Sequence, residues 1–113
     1  MNKAWAIFED DISITPEILK SNGFEDITSV HEREYYNSTY GITDYCSFRK
    51  WTDEGHSSIK LDISHRVTNN NAEWNLHIDN CDCDTIGSMD IDYVWQFNAL
   101  MTILGSNFRL NKA

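Results

Sequence analysis

The stretch IKLDISHRVTNNNAEWNLHI, residues 59–78, decides the fold of this 113-residue chain. Apolar and polar side chains alternate in it on both sides of the break Thr68–Asn71, which is rich in asparagine. Alternation with a period of two is typical of a β-strand with one buried face and one solvated face. Short polar breaks of this kind connect the strands of a hairpin. The stretch therefore predicts an antiparallel β-hairpin from Ile59 to Ile78.

Closing the hairpin over Thr68–Asn71 fixes which residues face each other. The predicted outward pairs are Arg66 with Glu73, Ser64 with Asn75, Asp62 with His77, and Lys60 with Asp79. The predicted inward pairs are His65 with Trp74, Ile63 with Leu76, and Leu61 with Ile78. A slip by one residue would bury the charged side chains, so the pattern specifies one register. Outward pairs of opposite charge add about 0.2–1 kcal/mol each, that of His77 only when it is protonated.

A second segment predicts the helix that covers this sheet. Its apolar residues recur in steps of three and four, which places them in one stripe: Ile91, Val94, Phe97, Met101 and Leu104. Further apolar residues between them extend the stripe around most of the helix. Ser88 or Asp90 is the predicted N-cap, and Gly105 ends the helix. We expect a long helix from Ile91 to Leu104 with little of its surface exposed.

Shorter elements are predicted around these two. Thr15, Pro16 and Gly23 mark the cap, the first position and the end of a short helix from Pro16 to Asn22. Further expected elements are strands at Ala4–Phe8, Asp26–Val30, Glu32–Tyr36 and Tyr45–Thr52, a turn at Asn37–Gly41, a loop at Asn80–Gly87 and an edge strand at Phe108–Leu110. The predicted class is α+β: one domain, residues 1–113, in which an antiparallel sheet of about four strands carries a short N-terminal and a long C-terminal helix.

The charge of the chain excludes some classes of partner. Acidic residues number 18 against 9 basic ones, and no Lys or Arg lies between Val67 and Phe108. Binding to a phosphate backbone or to anionic lipid requires a cationic surface. We therefore expect no direct nucleic-acid binding and no membrane association. A protein partner of the acidic half is expected to be basic.

The cysteines and the N-terminal sequence bear on the compartment. The three cysteines are Cys46, Cys81 and Cys83, and the first residues contain no long apolar run. An odd number of cysteines without an export signal is typical of reduced thiols. The expected location is the cytoplasm.

Metal and catalytic motifs are weak. His77, Cys81 and Cys83 lie close together with several aspartates, but the Cys81-x-Cys83 spacing is tighter than that of zinc sites. A calcium loop starting at Asp82 would need oxygen ligands at Ile86 and Tyr93. A solvated acidic loop is the expected state, and a metal site is the alternative. Because no nucleophile elbow or phosphate-binding loop is present, we predict no catalytic residues and no cofactor.

Two groups of residues are candidates for binding. The first is a set of tyrosines, Tyr35, Tyr36, Tyr40 and Tyr45, which can form a contact patch because each combines apolar area with a polar tip. Ordinary packing between strands is the alternative. The second group is Asp79, Asp82 and Asp84, in and next to the predicted acidic loop.

Two segments resemble a group of small uncharacterised proteins from anaerobic gut bacteria and their prophages. ITPEIL (residues 14–19) with NGF (residues 22–24) is similar to the opening of that group. YVWQFNAL (residues 93–100) followed by ILG (residues 103–105) is similar to its C-terminal helix, YVHQLQNL followed by LTG, with Trp95, Asn98 and Ala99 at three of the polar positions. The resemblance implies a helix–sheet–helix domain of mobile-element origin, and it carries no activity and no functional residues.

Three functions remain open from the sequence. The first is a non-enzymatic binding or accessory protein that acts through protein–protein contacts. The second is an acidic mimic of nucleic acid that inhibits a DNA- or RNA-binding protein. The third is a small metal-binding protein or hydrolase that uses His77, Cys81 and Cys83.

Overall fold

A computed structural model describes residues 11–52, 58–80, 82 and 84–111. Within this part of the chain the elements are α1 (Pro16–Ser21), β1 (Glu25–Asp26), α2 (Val30–Tyr40), β2 (Asp44–Thr52), β3 (Ile59–Val67), β4 (Ala72–Asn80), β5 (Thr85–Asp90) and α3 (Val94–Ile103). The strands form one antiparallel sheet in the order β1-β2-β3-β4-β5. The α+β class is confirmed, with five strands. The strand predicted at Ala4–Phe8 lies outside the described residues.

The hairpin of β3 and β4 has the predicted register. All seven predicted pairs are present, from Arg66 opposite Glu73 to Lys60 opposite Asp79. Inward residues such as Ile63 and Leu76 have no exposed surface, because the period of two directs them all to one face. The core of the protein is therefore built on this hairpin.

Side-chain pairing on the outward face differs from the simple cross-strand expectation. Lys60 Nζ lies 3.1 Å from Asp79 Oδ2, as predicted. Asp62, however, is bound by Arg49 of β2, whose Nε and Nη2 donate to its two oxygens at 2.7 and 3.1 Å. A guanidinium matches both oxygens of a carboxylate at once, so it is the better partner. The His77 Nε2 atom lies instead 3.0 Å from Asp79 Oδ1.

Helix α1 also follows its sequence signals. The Thr15 hydroxyl accepts a hydrogen bond of 3.2 Å from the Ile18 N–H group. Gly23 has a φ of 88°, and the Phe24 N–H group donates to the Leu19 carbonyl at 3.0 Å. This is the expected end of a helix, with an apolar residue folded back on the last turn. The observed helix ends at Ser21, one residue before the predicted end.

The strands predicted at Asp26–Val30 and Glu32–Tyr36 are wrong. Only Glu25–Asp26 pairs with β2, and α2 occupies the following segment. Ser29 caps α2, because its hydroxyl accepts from the Glu32 N–H group at 3.0 Å and donates to the Glu32 carboxylate at 3.1 Å. The predicted turn at Asn37–Gly41 is the last helical turn, which Gly41 ends with a φ of 66°. A Ser-x-x-Glu sequence is a helix-start signal, and it outweighs a poor strand pattern.

The loop predicted at Asn80–Gly87 and the predicted start of the last helix are also corrected. Strand β5 begins at Thr85, so Ser88 and Asp90 belong to a strand and cap no helix. Helix α3 begins at Val94, where the Gln96 side-chain carbonyl accepts from the Asp92 and Tyr93 N–H groups at 2.7 and 3.0 Å. Its C-terminal end is more exposed than predicted, since Ile103 is 80% exposed.

The two faces of the sheet differ in character. Helices α1 and α3 contribute Leu19, Phe97 and Met101 to the buried core on the inward face. Rings of Phe24, Phe97 and Phe108 meet there with centroids 5.9 to 6.3 Å apart. The outward face is polar. Helix α2 lies against one end of that face, at Tyr45 of β2.

The edge strand predicted at Phe108–Leu110 is absent. The segment instead pairs with two asparagine side chains. The Asn98 amide accepts from the Leu110 N–H group at 2.8 Å and donates to the Leu110 carbonyl at 3.1 Å. Asn22 does the same for Asn111, with both distances 2.9 Å. Side-chain amides thus replace a neighbouring strand and satisfy these backbone groups.

We expect Asn98→Ala to lower the free energy of unfolding by about 1–3 kcal/mol, because Leu110 is 3% exposed and its N–H group loses its partner in a buried site. Urea unfolding monitored by tryptophan fluorescence measures the loss. The exposed Asn70→Ala in the β3–β4 turn is the control and should change stability by about 0.5 kcal/mol or less. Equal losses in the two variants would show that the Asn98 bonds do not anchor the segment.

Candidate binding site

Helix α2 presents tyrosines to solvent. None of its residues is buried, and Tyr35 and Tyr40 are 52% and 61% exposed. Tyr36 and Tyr40 are one helical turn apart, and Tyr35 precedes Tyr36. The rings of these three tyrosines have pairwise centroid distances of 5.7 to 6.0 Å. The helix therefore carries a compact group of rings on its surface.

These rings continue onto the sheet through Tyr45 of β2. The Tyr36 and Tyr45 centroids are 4.6 Å apart, and Tyr45 is 5% exposed. Burial raises the pKa of the Tyr45 phenol above its usual value. The structure thus brings together all four predicted tyrosines, and it does so through a helix docked on a strand. We call this group, Tyr35, Tyr36, Tyr40 and Tyr45, the tyrosine surface.

Arg66 lies beside the tyrosine surface. Its Cζ atom is 5.2 Å from the Tyr36 ring centroid, a cation–π contact. The residue stands between Tyr45 of β2 and Glu73 of β4 in the sheet register. In the described ranges, no carboxylate oxygen lies within 4.0 Å of its guanidinium, and its buried Nε atom has no hydrogen-bond acceptor. The predicted register of Arg66 with Glu73 is right, but the two side chains form no ion pair.

A cleft of about 500 Å³ opens next to Arg66. Its walls are Tyr36, Tyr40 and Ile42, and its polar groups come from Thr68, Asn71, Glu73 and Arg66 itself. Small-molecule sites typically enclose about 300–1,000 Å³ and combine apolar walls with a few polar groups. A second hollow of about 410 Å³ lies over the polar sheet face and shares Arg66.

The second predicted binding group, the acidic one, lies elsewhere. Asp79 is 5% exposed, and the hydrogen bond from Lys60 holds its pKa below the usual value although burial opposes this. Asp82 and Asp84 are exposed, and their N–H groups both donate to the Asn80 side chain at 2.9 Å. Asp79 lies near the C-terminal end of β4, and Asp82 and Asp84 follow that strand, whereas the tyrosine surface lies near its start. The two predicted groups therefore form two separate surfaces.

The metal and nucleophile candidates receive little structural support. Cys81 and Cys83 lie outside the described residues, and the His77 side chain on the polar face contacts Asp79. Within the described part of the chain, no group of three or more His, Cys, Asp or Glu residues is arranged to hold a metal ion. Burial raises the pKa of the Cys46 thiol, which makes it a poor nucleophile.

Comparison of the chain with protein-family models, curated proteins and solved structures finds no match. Among the described helices, none has the length and apolar character needed to cross a bilayer. Arguments about function therefore depend on the geometry of the site.

Sequence reasoning missed three features of this site: the helix under the tyrosines, the cleft, and the role of Arg66. Ser29 and Glu32 carried the signal for the helix, and the four-residue spacing of Tyr36 and Tyr40 agrees with it. The unpaired state of Arg66 had no sequence signal, because an arginine opposite a glutamate predicts an ion pair.

His65 gives the fold a pH dependence. Its ring stacks on Trp74 with a centroid distance of 4.4 Å and an interplanar angle of 25°. Burial lowers the pKa of His65 below its ordinary value of 6.5, although Asp44 and Asp92 oppose the shift. The unfolded chain therefore binds a proton at His65 more strongly than the folded protein does. The contribution of neutral His65 to the free energy of unfolding is present above pH 6.5 and is lost as the pH falls below that value.

We expect the free energy of unfolding of the wild type to fall between about pH 7.5 and about pH 5.5 more steeply than that of His65→Phe, since phenylalanine stacks but does not titrate. Urea unfolding at a series of pH values gives both curves. Subtracting the variant removes the contributions of the other histidines. Parallel curves would contradict the role assigned to His65.

Proposed function

We propose that this protein is a non-enzymatic binding or accessory protein that acts through protein–protein contacts on the tyrosine surface. The observation that carries the proposal is the exposure of Tyr35 and Tyr40 above the buried Tyr45. Tyrosine is enriched in the contact regions of protein interfaces, because a rigid ring gives a large contact area with little loss of entropy. A helix that buries none of its residues in its own core is free to bury them against a partner.

We infer that the protein serves a phage or another mobile element and that it works in the cytoplasm. The resemblance of residues 14–24 and 93–105 to prophage-encoded proteins supports the first inference. The free thiol of Cys46 suits a reducing compartment. Genes of phage structure, replication or defence beside this gene would support mobile-element origin, and a conserved metabolic operon would oppose it.

Tyr35→Ser combined with Tyr40→Ser should abolish partner binding while the protein stays folded, because both side chains are more than half exposed. Tagged wild-type and variant proteins are expressed in the native host, and the co-purified proteins are quantified by mass spectrometry. We expect the specific partner to decrease by about tenfold or more, the usual effect of losing interface hot spots.

Ile103→Ser is the matched control for this experiment. Ile103 is 80% exposed on α3, so its replacement also removes an exposed apolar side chain, but one remote from the tyrosine surface in sequence and on another helix. Partner recovery should stay at the wild-type level. A partner that is retained by the tyrosine variant would place the interface elsewhere.

A second candidate function is mimicry of nucleic acid. The observation that favours it is a set of exposed carboxylates in and around β5, at Asp82, Asp84, Asp90 and Asp92. The sequence from Val67 to Phe108 contains no Lys or Arg that would neutralise them. A basic, nucleic-acid-binding protein is the partner that this surface would attract.

Under mimicry, Asp84→Asn combined with Asp90→Asn should weaken binding of the partner by about tenfold and reduce its salt dependence. Titration calorimetry with the purified partner, between about 0.05 M and about 0.5 M salt, measures both effects. The tyrosine variant serves as the comparison, since it should leave the salt slope unchanged. Binding that persists at high salt would exclude mimicry and favour the tyrosine surface.

A further inference from the structure

We propose that the cleft beside Arg66 binds a carboxylate attached to an aromatic or bulky apolar group. The inference deepens the proposed function and rests on it, because the cleft shares Tyr36 and Tyr40 with the tyrosine surface. It names the chemistry that a partner or ligand presents to this part of the protein.

The positive charge of the site is available for a ligand. Arg49 is bound to both oxygens of Asp62, and Arg109 donates to the carbonyls of Ser106 and Phe108 at 2.7 Å each. Arg66 has neither kind of partner among the described residues, and its Nε–H group is buried without an acceptor. An unpaired buried donor is unfavourable. A carboxylate supplies two acceptors in the geometry of the guanidinium fork.

The walls of the cleft select what is attached to the carboxylate. The Tyr36 ring lies 5.2 Å from the guanidinium carbon, and Tyr40 and Ile42 continue the apolar surface. A ring or branched chain next to the carboxylate would cover these side chains. A small polar anion would contact only Arg66 and the polar groups of Thr68 and Asn71.

Glu73 sets the charge of the preferred ligand. Its carboxylate lines the cleft but lies more than 4.0 Å from the guanidinium of Arg66. It therefore repels an incoming anion, and the repulsion grows with the charge of that anion. A singly charged carboxylate is favoured over a doubly charged phosphate. Removal of this repulsion in Glu73→Gln should strengthen the binding of a carboxylate.

The test is an NMR titration of the purified protein with small probes, observing the tyrosine rings and the arginine Nε–H groups. N-acetylphenylalanine carries both a ring and a carboxylate, its amide keeps the ring without the charge, and N-acetylglycine keeps the charge without the ring. We expect N-acetylphenylalanine to bind in about the millimolar range, as fragments do, and each of the other two about tenfold more weakly. Benzoate is compared with N-acetylphenylalanine to identify the source of the carboxylate. Tighter binding of benzoate indicates a free aromatic acid, and tighter binding of N-acetylphenylalanine indicates a peptide C-terminus.

Arg66→Gln should abolish the preference for the acid over the amide, and Lys20→Gln is its control. Lys20 is exposed on α1 and does not line the cleft, and its replacement removes one positive charge, as that of Arg66 does. Arg66→Lys serves if the glutamine variant does not fold, because it keeps the charge and loses the fork geometry. It should weaken the acid about threefold or more and leave the amide unchanged.

Equal binding of acid and amide by the wild type would overturn the inference. A loss of acid preference in Lys20→Gln as large as that in Arg66→Gln would also overturn it. These outcomes are separate from the failure of the proposed function. A partner that depends on Tyr35 and Tyr40 but not on Arg66, with no binding of the acid probe, overturns only the carboxylate site. Probe binding without a tyrosine-dependent partner leaves the cleft in place as a small-molecule site.

Discussion

The single register of β3 against β4 is the constraint on which the rest of this structure depends. It buries Leu61, Ile63, Leu76 and Ile78 on one face, and a shift by one residue would exchange them for charged side chains. The buried face gives α1 and α3 a surface to pack on. The packing energy of that core fixes the register, because a slipped hairpin would expose these apolar side chains to water.

The same register determines what the outward face can do. It sets Arg66 between Tyr45 and Glu73 near the turn end of the hairpin, where α2 docks. Farther along the strands, Arg49 binds Asp62, and Lys60 binds Asp79. The charges of Arg49 and Lys60 are thus paired with carboxylates of the same sheet. At the end covered by α2, the tyrosine ring of Tyr36 takes the place of a carboxylate as the neighbour of the guanidinium.

Features set by nearby residues could be predicted from the sequence, and features set by distant ones could not. The hairpin and α1 depend on alternation, a cap and a turn, all local signals. Ser29 and Glu32 mark the start of helix α2, but none of its residues is buried, so no apolar stripe indicates a helix along its length. Strand β5 buries none of its six residues, so it has no burial pattern to recognise. The Phe108–Leu110 segment has a strand-like sequence, but asparagines from two helices determine its partners.

The tyrosine surface and the acidic group are separated by the length of β4, and this separation bears on how a partner would bind. With a net charge of −9, the long-range field attracts a basic protein, whereas the contact chemistry beside Arg66 favours a carboxylate. The two preferences are compatible, because long-range attraction affects mainly the rate of encounter and buried contacts affect mainly the lifetime of the complex. A partner with a basic surface and one accessible carboxylate beside an apolar residue could bind the acidic group and the cleft beside Arg66 at the same time. Its association rate would then depend on salt through the aspartates, and its dissociation rate would depend on Arg66 and the tyrosines.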